Sequence, residues 1–173
     1  MAEPATPKLR IAGLKKAFGG ERVLDGIDLQ VPAGENLVLL GASGSGKTLT
    51  LKCILGLVRP DAGRIELDGQ DIVPLSGRER DRLLSRFGML FQQAALFDSL
   101  PVWRNVAFRL LQQKTDRDEA RRIADETLKA VGLTPETGDL LPAELSGGMQ
   151  KRVGIARAIA GRPEVLLLDE PTA

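Results

Sequence analysis

The stretch Gly41-Ala42-Ser43-Gly44-Ser45-Gly46-Lys47-Thr48 fits the pattern GxxxxGK[ST] at every fixed position. It constrains the fold more than any other stretch, because a loop of this kind needs a strand leading in and a helix leading out. Glu35, Asn36, Leu37, Val38, Leu39 and Leu40 read as a buried strand. Residues 48–58 read as a helix, with Leu51, Ile54, Leu55 and Val58 at i, i+3, i+4 and i+7. The three glycines let the backbone curl until successive N–H groups converge, and these add to the positive end of the following helix. The phosphates of ATP or GTP are the expected occupants. Lys47 is expected to reach the terminal phosphates, and the Thr48 hydroxyl to be a magnesium ligand in the nucleotide complex. The alternative is a glycine turn without a ligand, but a chance match to four fixed positions in a chain of this size is on the order of one in a few hundred.

With 173 residues, 43% of them hydrophobic, the chain has material for one domain with a real core and is short for two of ordinary size. The 24 basic and 23 acidic residues leave a net charge of +1, which calls for neither a nucleic acid nor an anionic membrane surface. The single cysteine, Cys53, excludes an internal disulfide and fits a small buried residue on the helix after the loop. No apolar leader and no run of about 18 apolar residues is present, so the expectation is a cytoplasmic chain without direct membrane insertion.

Along the chain, residues 1–7 are expected as a disordered lead and residues 8–173 as the folded domain. Residues 9–11 and 23–31 read as strands of an antiparallel pair separated by Gly19-Gly20, with Phe18 at its end; the bland reading of Phe18 is core packing. Residues 60–63 read as a turn, 64–69 as a strand, 76–85 as a charged helix and 87–91 as a strand ending in Gln92-Gln93. A polar pair there is where open α/β sheets place ligand-contacting groups.

Residues 94–141 read as a helical insertion, with helices over 102–111 and 116–131; Thr115 is the expected N-cap of the second, and Gly132 follows its end. Leu145-Ser146-Gly147-Gly148-Met149-Gln150 opens a helix running to Ala160, so a serine and two glycines again stand at a helix N-terminus. Taken alone, that triplet is more often a helix cap. Residues 164–168 read as a buried strand delivering Asp169 and Glu170 to its carboxyl end. Two carboxylates there are costly unless a cation or a reaction uses them. Asp169 is expected to hold magnesium, and Glu170 to orient and deprotonate the water that attacks the γ-phosphate.

The order of phosphate loop, Phe91-Gln92, Leu145-Ser146-Gly147-Gly148 and the run ending Asp169-Glu170-Pro171 resembles the ATP-binding-cassette family of transport ATPases over residues 8–173. The resemblance implies an α/β, P-loop NTPase fold with an N-terminal antiparallel β unit and the helical insertion. It implies that Phe18 stacks on adenine, and that Gln92 touches magnesium and the membrane partner and takes part in catalysis with Lys47 and Glu170. It further implies that Ser146, Gly147 and Gly148 complete the ATP site of a second subunit in a head-to-tail homodimer. The implied cofactors are ATP and Mg2+. The implied partner is a separate membrane permease, with the chain peripheral on the cytoplasmic face of the bacterial inner membrane and no nucleic acid involved.

Met149, where the family usually has glutamine, together with the segments around Thr48 and Gln92, is similar to the phospholipid-trafficking branch (lipid-asymmetry maintenance, toluene tolerance). Pro101 and Arg104 depart from that branch, where a threonine and a glutamate commonly frame the helix start; Ser99 is the alternative cap. Family members continue beyond Pro171-Thr172-Ala173 into a further strand and a switch histidine, and this sequence contains no histidine. The expectation drawn from this is a truncated chain, its last core strands missing, marginally stable and deficient in turnover. The alternative functions are a non-transport cassette protein of translation or DNA repair, or a catalytically deficient nucleotide-binding fragment.

Overall fold

The computed structural model describes residues 6–92 and 94–170. Residues 1–5 of the expected lead, Gln93 and Pro171-Thr172-Ala173 lie outside the described residues. The chain falls into two compact units that divide between Leu84 and Ser85.

The first unit is built on antiparallel strands. β1 (Leu9–Phe18) and β2 (Glu21–Val31) form the hairpin expected around Gly19-Gly20. α1 (Lys47–Ile54) follows the phosphate loop. Next, β3 (Ala62–Leu67) pairs with β1, and the short β4 (Gln70–Asp71) with β3, for a strand order β2-β1-β3-β4. α2 (Gly77–Leu84) closes the unit. The inward side chains Ile11, Leu14, Leu24, Ile65 and Leu67 are all but completely buried, each contributing about 1.5–3 kcal/mol relative to exposure. Cys53 is buried as expected, and burial pushes its thiol pKa up. α1 stops earlier than the apolar pattern suggests. The Gly56 N–H donates to Cys53 O and the Leu57 N–H to Lys52 O, closing a Schellman motif that turns the chain before Val58. β3 begins within the stretch 60–63 that reads as a turn, because Ala62 pairs with Lys15 across an irregularity in the ladder.

One expectation fails outright. Residues 35–40 form no strand: they join no ladder among the described residues, and Val38 is 74% and Leu40 91% exposed. Their composition suits a strand, but a strand exists only where a neighbour accepts and donates its backbone hydrogen bonds.

The second unit pairs β5 (Phe87–Leu90) with β6 (Val165–Leu168) in parallel, in the register Phe87↔Val165 to Leu90↔Leu168. An Arg86–Glu164 ion pair, Nη2 to Oε2 at 2.6 Å, stands at the start of the pair. At the other end the Asp169 N–H donates to Leu90 O, at 2.9 Å. Between these strands the described residues of 94–141 contain helices and no strand. The helix expected over 102–111 is two, α3 (Val102–Val106) and α4 (Phe108–Gln112), which meet at the buried Ala107. Pro101 itself takes the N-cap position of α3 and no side chain caps it, so the alternative of Ser99 is corrected.

α5 (Arg117–Ala130) is capped by Asp116, not Thr115: the Asp116 carboxylate accepts the N–H groups of Glu119 and Asp118. Asp is as good a cap as Thr, and here the boundary lies one residue later. α6 (Gly147–Ile159) follows. Val102, Val106, Ala120, Ala124, Leu128, Val153 and Ala156 from α3, α5 and α6 form one buried cluster. Among the described residues no helix is long and apolar enough to cross a membrane.

Candidate functional site

In the first unit the loop geometry follows from its glycines. Gly44 lies at φ 80° and Gly46 at φ 92°, left-handed conformations in which a side chain is strained. A Cβ on Gly46 would also stand 2.6 Å from Leu24 Cδ2. Gly46 is the N-cap of α1; no side chain caps this helix and no acidic residue lies in its first turn. An α-helix begins with four N–H groups that its own backbone does not satisfy, and α1 brings no acidic side chain of its own first turn to them. Gly41, Ala42, Ser43, Gly44 and Ser45 are exposed ahead of the helix, and Thr48 follows Lys47 in the first turn. Lys47 Nζ donates to Gly41 O at 2.7 Å and to Ala42 O at 2.8 Å, so its ammonium is folded over the loop.

Phe18 ends β1 and is 52% exposed, with Lys16 Nζ 5.3 Å from its ring centroid. Core packing is therefore corrected: the ring presents a face rather than filling the interior.

In the second unit β6 delivers Asp169, which is only 5% exposed, and then Glu170, exposed and at φ 48°. That left-handed conformation is uncommon for a residue with a Cβ and turns the chain sharply out of the strand. Gln92 stands just past β5, the strand paired with β6, and its Nε2 donates to Glu170 Oε2 at 2.7 Å. The parallel register thus brings together two candidate residues far apart in sequence. Ser146 is the N-cap of α6 and its Oγ accepts the Met149 N–H at 3.3 Å, so the triplet is a helix cap in fact. Gly147 and Gly148 follow it exposed, with no atom within 4 Å of a Cβ placed on either.

These features fit a magnesium nucleotide. In the first unit the loop sets an ammonium over a helix start without a side-chain cap, and the second unit by itself carries a buried carboxylate at a strand end. No group of three or more metal-binding side chains occurs among the described residues. Magnesium suits such a sparse set, because it keeps waters and phosphate oxygens and takes only one or two carboxylates.

Two residues of the second unit escape a reading of motifs. Asn105 is fully buried: its Oδ1 accepts the Phe97 N–H at 2.7 Å, and its Nδ2 donates to Phe97 O and Leu100 O. Arg157 donates to Ala94 O and Ala95 O. Both carry a signal in the sequence, a polar residue set on an otherwise apolar helix face: Asn105 beside Val102 and Val106, and Arg157 beside Val153 and Ala160.

A family model described as ABC transporter matches residues 24–173. A probable ribonucleotide transport ATP-binding protein of Mycobacterium leprae is 43% identical over 97% of this chain and 48% of its own length. The methionine import ATP-binding protein of Rhizobium johnstonii is 43% identical over 95% of this chain and 45% of its own. The chain thus spans about half the length of these curated relatives. Among solved structures, a dimeric bacterial ABC transporter cassette superposes with a TM-score of 0.87 at 32% identity, over 95% of this chain and 74% of that one. A dimeric cassette in a post-hydrolysis state bound to ADP and phosphate gives a TM-score of 0.85, also at 32% identity, with the same coverage.

Proposed function

The chain belongs to the ABC transporter family and has the α/β fold of its ATP-binding cassettes, and from that premise we propose that it binds and hydrolyses ATP to drive substrate through a separate membrane permease. The observation that carries the reading is the N-terminus of α1, opened by a left-handed glycine, uncapped by any side chain and overhung by Lys47. Lys47 exchanges the carbonyls of Gly41 and Ala42 for terminal phosphate oxygens. By the family resemblance Thr48, Asp169 and Gln92 would hold the magnesium, and the ion would supply charge neutralisation on the nucleotide's phosphates. Glu170 accepts a proton from the attacking water, and Gln92 orients that carboxylate from 2.7 Å away. The exposed Phe18 ring stacks on adenine.

Gly147 and Gly148, with Ser146, face the nucleotide of a second copy in a head-to-tail homodimer; the dimeric state of the similar cassettes supports this. The chain works peripherally at the cytoplasmic face of the membrane that holds the permease. A phospholipid or related hydrophobic substrate is the finer reading, supported by Met149 after the Leu-Ser-Gly-Gly run. The named relatives are instead described for ribonucleotide and methionine transport. Stimulation of the assembled complex's ATPase by phospholipid, with ribonucleotides and methionine as controls, decides between them.

Hydrolysis is tested with Glu170→Gln. Magnesium-ATP affinity is expected within about twofold of the parent while turnover falls by roughly 100-fold or more, as losses of general acid–base groups do. Unchanged turnover would contradict the role given to Glu170.

A further inference from the structure

α6 has Ser146-Gly147-Gly148 at its start and Arg157 near its end. The Arg157 Nη1 donates to Ala95 O at 2.7 Å and Nη2 to Ala94 O at 2.6 Å, with the Phe97 ring centroid 6.0 Å from the guanidinium carbon. Two successive carbonyls accepting from two different nitrogens of one guanidinium is a fork geometry that an ammonium cannot reproduce. Ala95 lies at φ 48°, a conformation that persists only where its surroundings impose it. One turn earlier on α6, a Cβ on Gly154 would lie 2.8 Å from Leu90 Cδ1 and 3.2 Å from Ala94 Cβ. The helix therefore grips the chain on both sides of Gln92, at Leu90 before it and at Ala94 and Ala95 after it. Farther on, the buried Asn105 holds Phe97 and Leu100. Burial lowers the guanidinium pKa from its ordinary value, though arginine stays charged in any case.

We propose that Arg157 is a positioning residue for hydrolysis: by fixing the Ala94 and Ala95 carbonyls it places Gln92, and through the Gln92–Glu170 hydrogen bond it orients the carboxylate that acts on water. The inference rests on the hydrolytic reading of Glu170 and adds a residue to it.

The test uses the full chain carrying Arg157→Gln, Arg157→Lys, Gln92→Ala and the Arg157→Gln/Gln92→Ala double variant. Arg157→Gln is expected to lower kcat by about tenfold, the order of a modest misplacement of a catalytic group, with magnesium-ATP affinity within about twofold. Arg157→Lys is expected to fall between, since it keeps the charge and loses the fork. The loss in the double variant is expected to be no larger than in Gln92→Ala alone, which a merely stabilising role would not produce.

Additive losses, an unchanged kcat, or a loss of affinity matching the loss of kcat would overturn the proposal. If Arg157→Gln does not fold, the same cycle is run with Arg157→Lys. Independently of turnover, hydrogen exchange at the amides of Ala94 to Phe97 is expected to speed up about tenfold in either Arg157 variant, and unchanged exchange overturns the proposal. A parent chain that fails to bind magnesium-ATP, or whose hydrolysis ignores Glu170→Gln, contradicts the hydrolytic reading instead.

Discussion

Two helices of this chain begin at glycine-rich turns, and they begin differently. α1 opens at Gly46, left-handed at φ 92°, with no side-chain cap and no acid in its first turn. α6 opens at Ser146, whose Oγ takes the Met149 N–H at 3.3 Å. Both begin with N–H groups that no preceding turn satisfies, but α6 meets one of them with the Ser146 side chain, whereas α1 has no side-chain cap. A glycine-rich helix start is thus two different objects. One starts at a left-handed glycine without a side-chain cap; the other starts at a capping serine followed by two exposed glycines.

The largest stability effect that separates the two is expected at Gly46. Gly46→Ala forces a Cβ into a left-handed residue and onto Leu24, so it should cost the first unit about 1–2 kcal/mol or more from the backbone alone. Gly147→Ala, with open space around its Cβ, should stay within about 0.5 kcal/mol. Equal losses in urea titrations would break the contrast. Next comes the cap itself: Ser146→Ala should cost about 1 kcal/mol, and Ser146→Gly only a few tenths. A silent Ser146→Ala would mean that the cap bond contributes nothing and that α6 is as open as α1.

The smallest effect sharpens the contrast with a third helix start, that of α5, which is capped by a carboxylate. The N–H groups of Glu119 and then Asp118 hold the Asp116 pKa below its usual value. A carboxylate depressed in the folded state contributes stability that is full above its unfolded pKa of about 4 and is lost as pH falls through the folded value. Asp61, Glu119, Glu136 and Asp139 are held low as well, so melting of the parent chain should weaken from about pH 5 downward, and Asp116→Asn, which keeps an acceptor and does not titrate, should make that acid limb shallower by Asp116's share. The same acid limb in both chains would remove Asp116 from among its sources.

The limits of reading the sequence show in a pair of strands. Residues 35–40 and Val165–Leu168 are apolar runs of the same character, and each precedes a functional motif. Val165–Leu168 pairs residue for residue with Phe87–Leu90, whereas residues 35–40 join no ladder among the described residues. Composition reports what a segment can become; pairing is settled by a neighbour distant in sequence. The same distinction separates what was legible in the candidate site from what was not. The phosphate loop, the Ser146 start of α6 and the Asp169-Glu170 pair are local, each carrying its own signal in adjacent residues.

The Gln92–Glu170 hydrogen bond is not local, because it depends on the parallel register of β5 with β6. The Arg157 fork onto Ala94 and Ala95 depends in turn on how closely α6 approaches that loop at Gly154. Asn105 and Arg157 signal only as polar residues on apolar helix faces; Asn105 is buried and Arg157 half-buried, and the pattern does not name what they hold. The shift of the α5 cap from Thr115 to Asp116 is smaller in kind: two competent capping residues are adjacent, and local chemistry alone does not choose between them.

The central claim is that the uncapped start of α1, with Lys47 over it, is a phosphate site. Calorimetric titration of magnesium-ATP into the chain and into Lys47→Ala tests it most directly. The parent should bind, and Lys47→Ala should bind roughly 10- to 100-fold more weakly, the value of one hydrogen-bonded charge on a phosphate. Equal affinity in the two chains, or no binding by the parent, would contradict it.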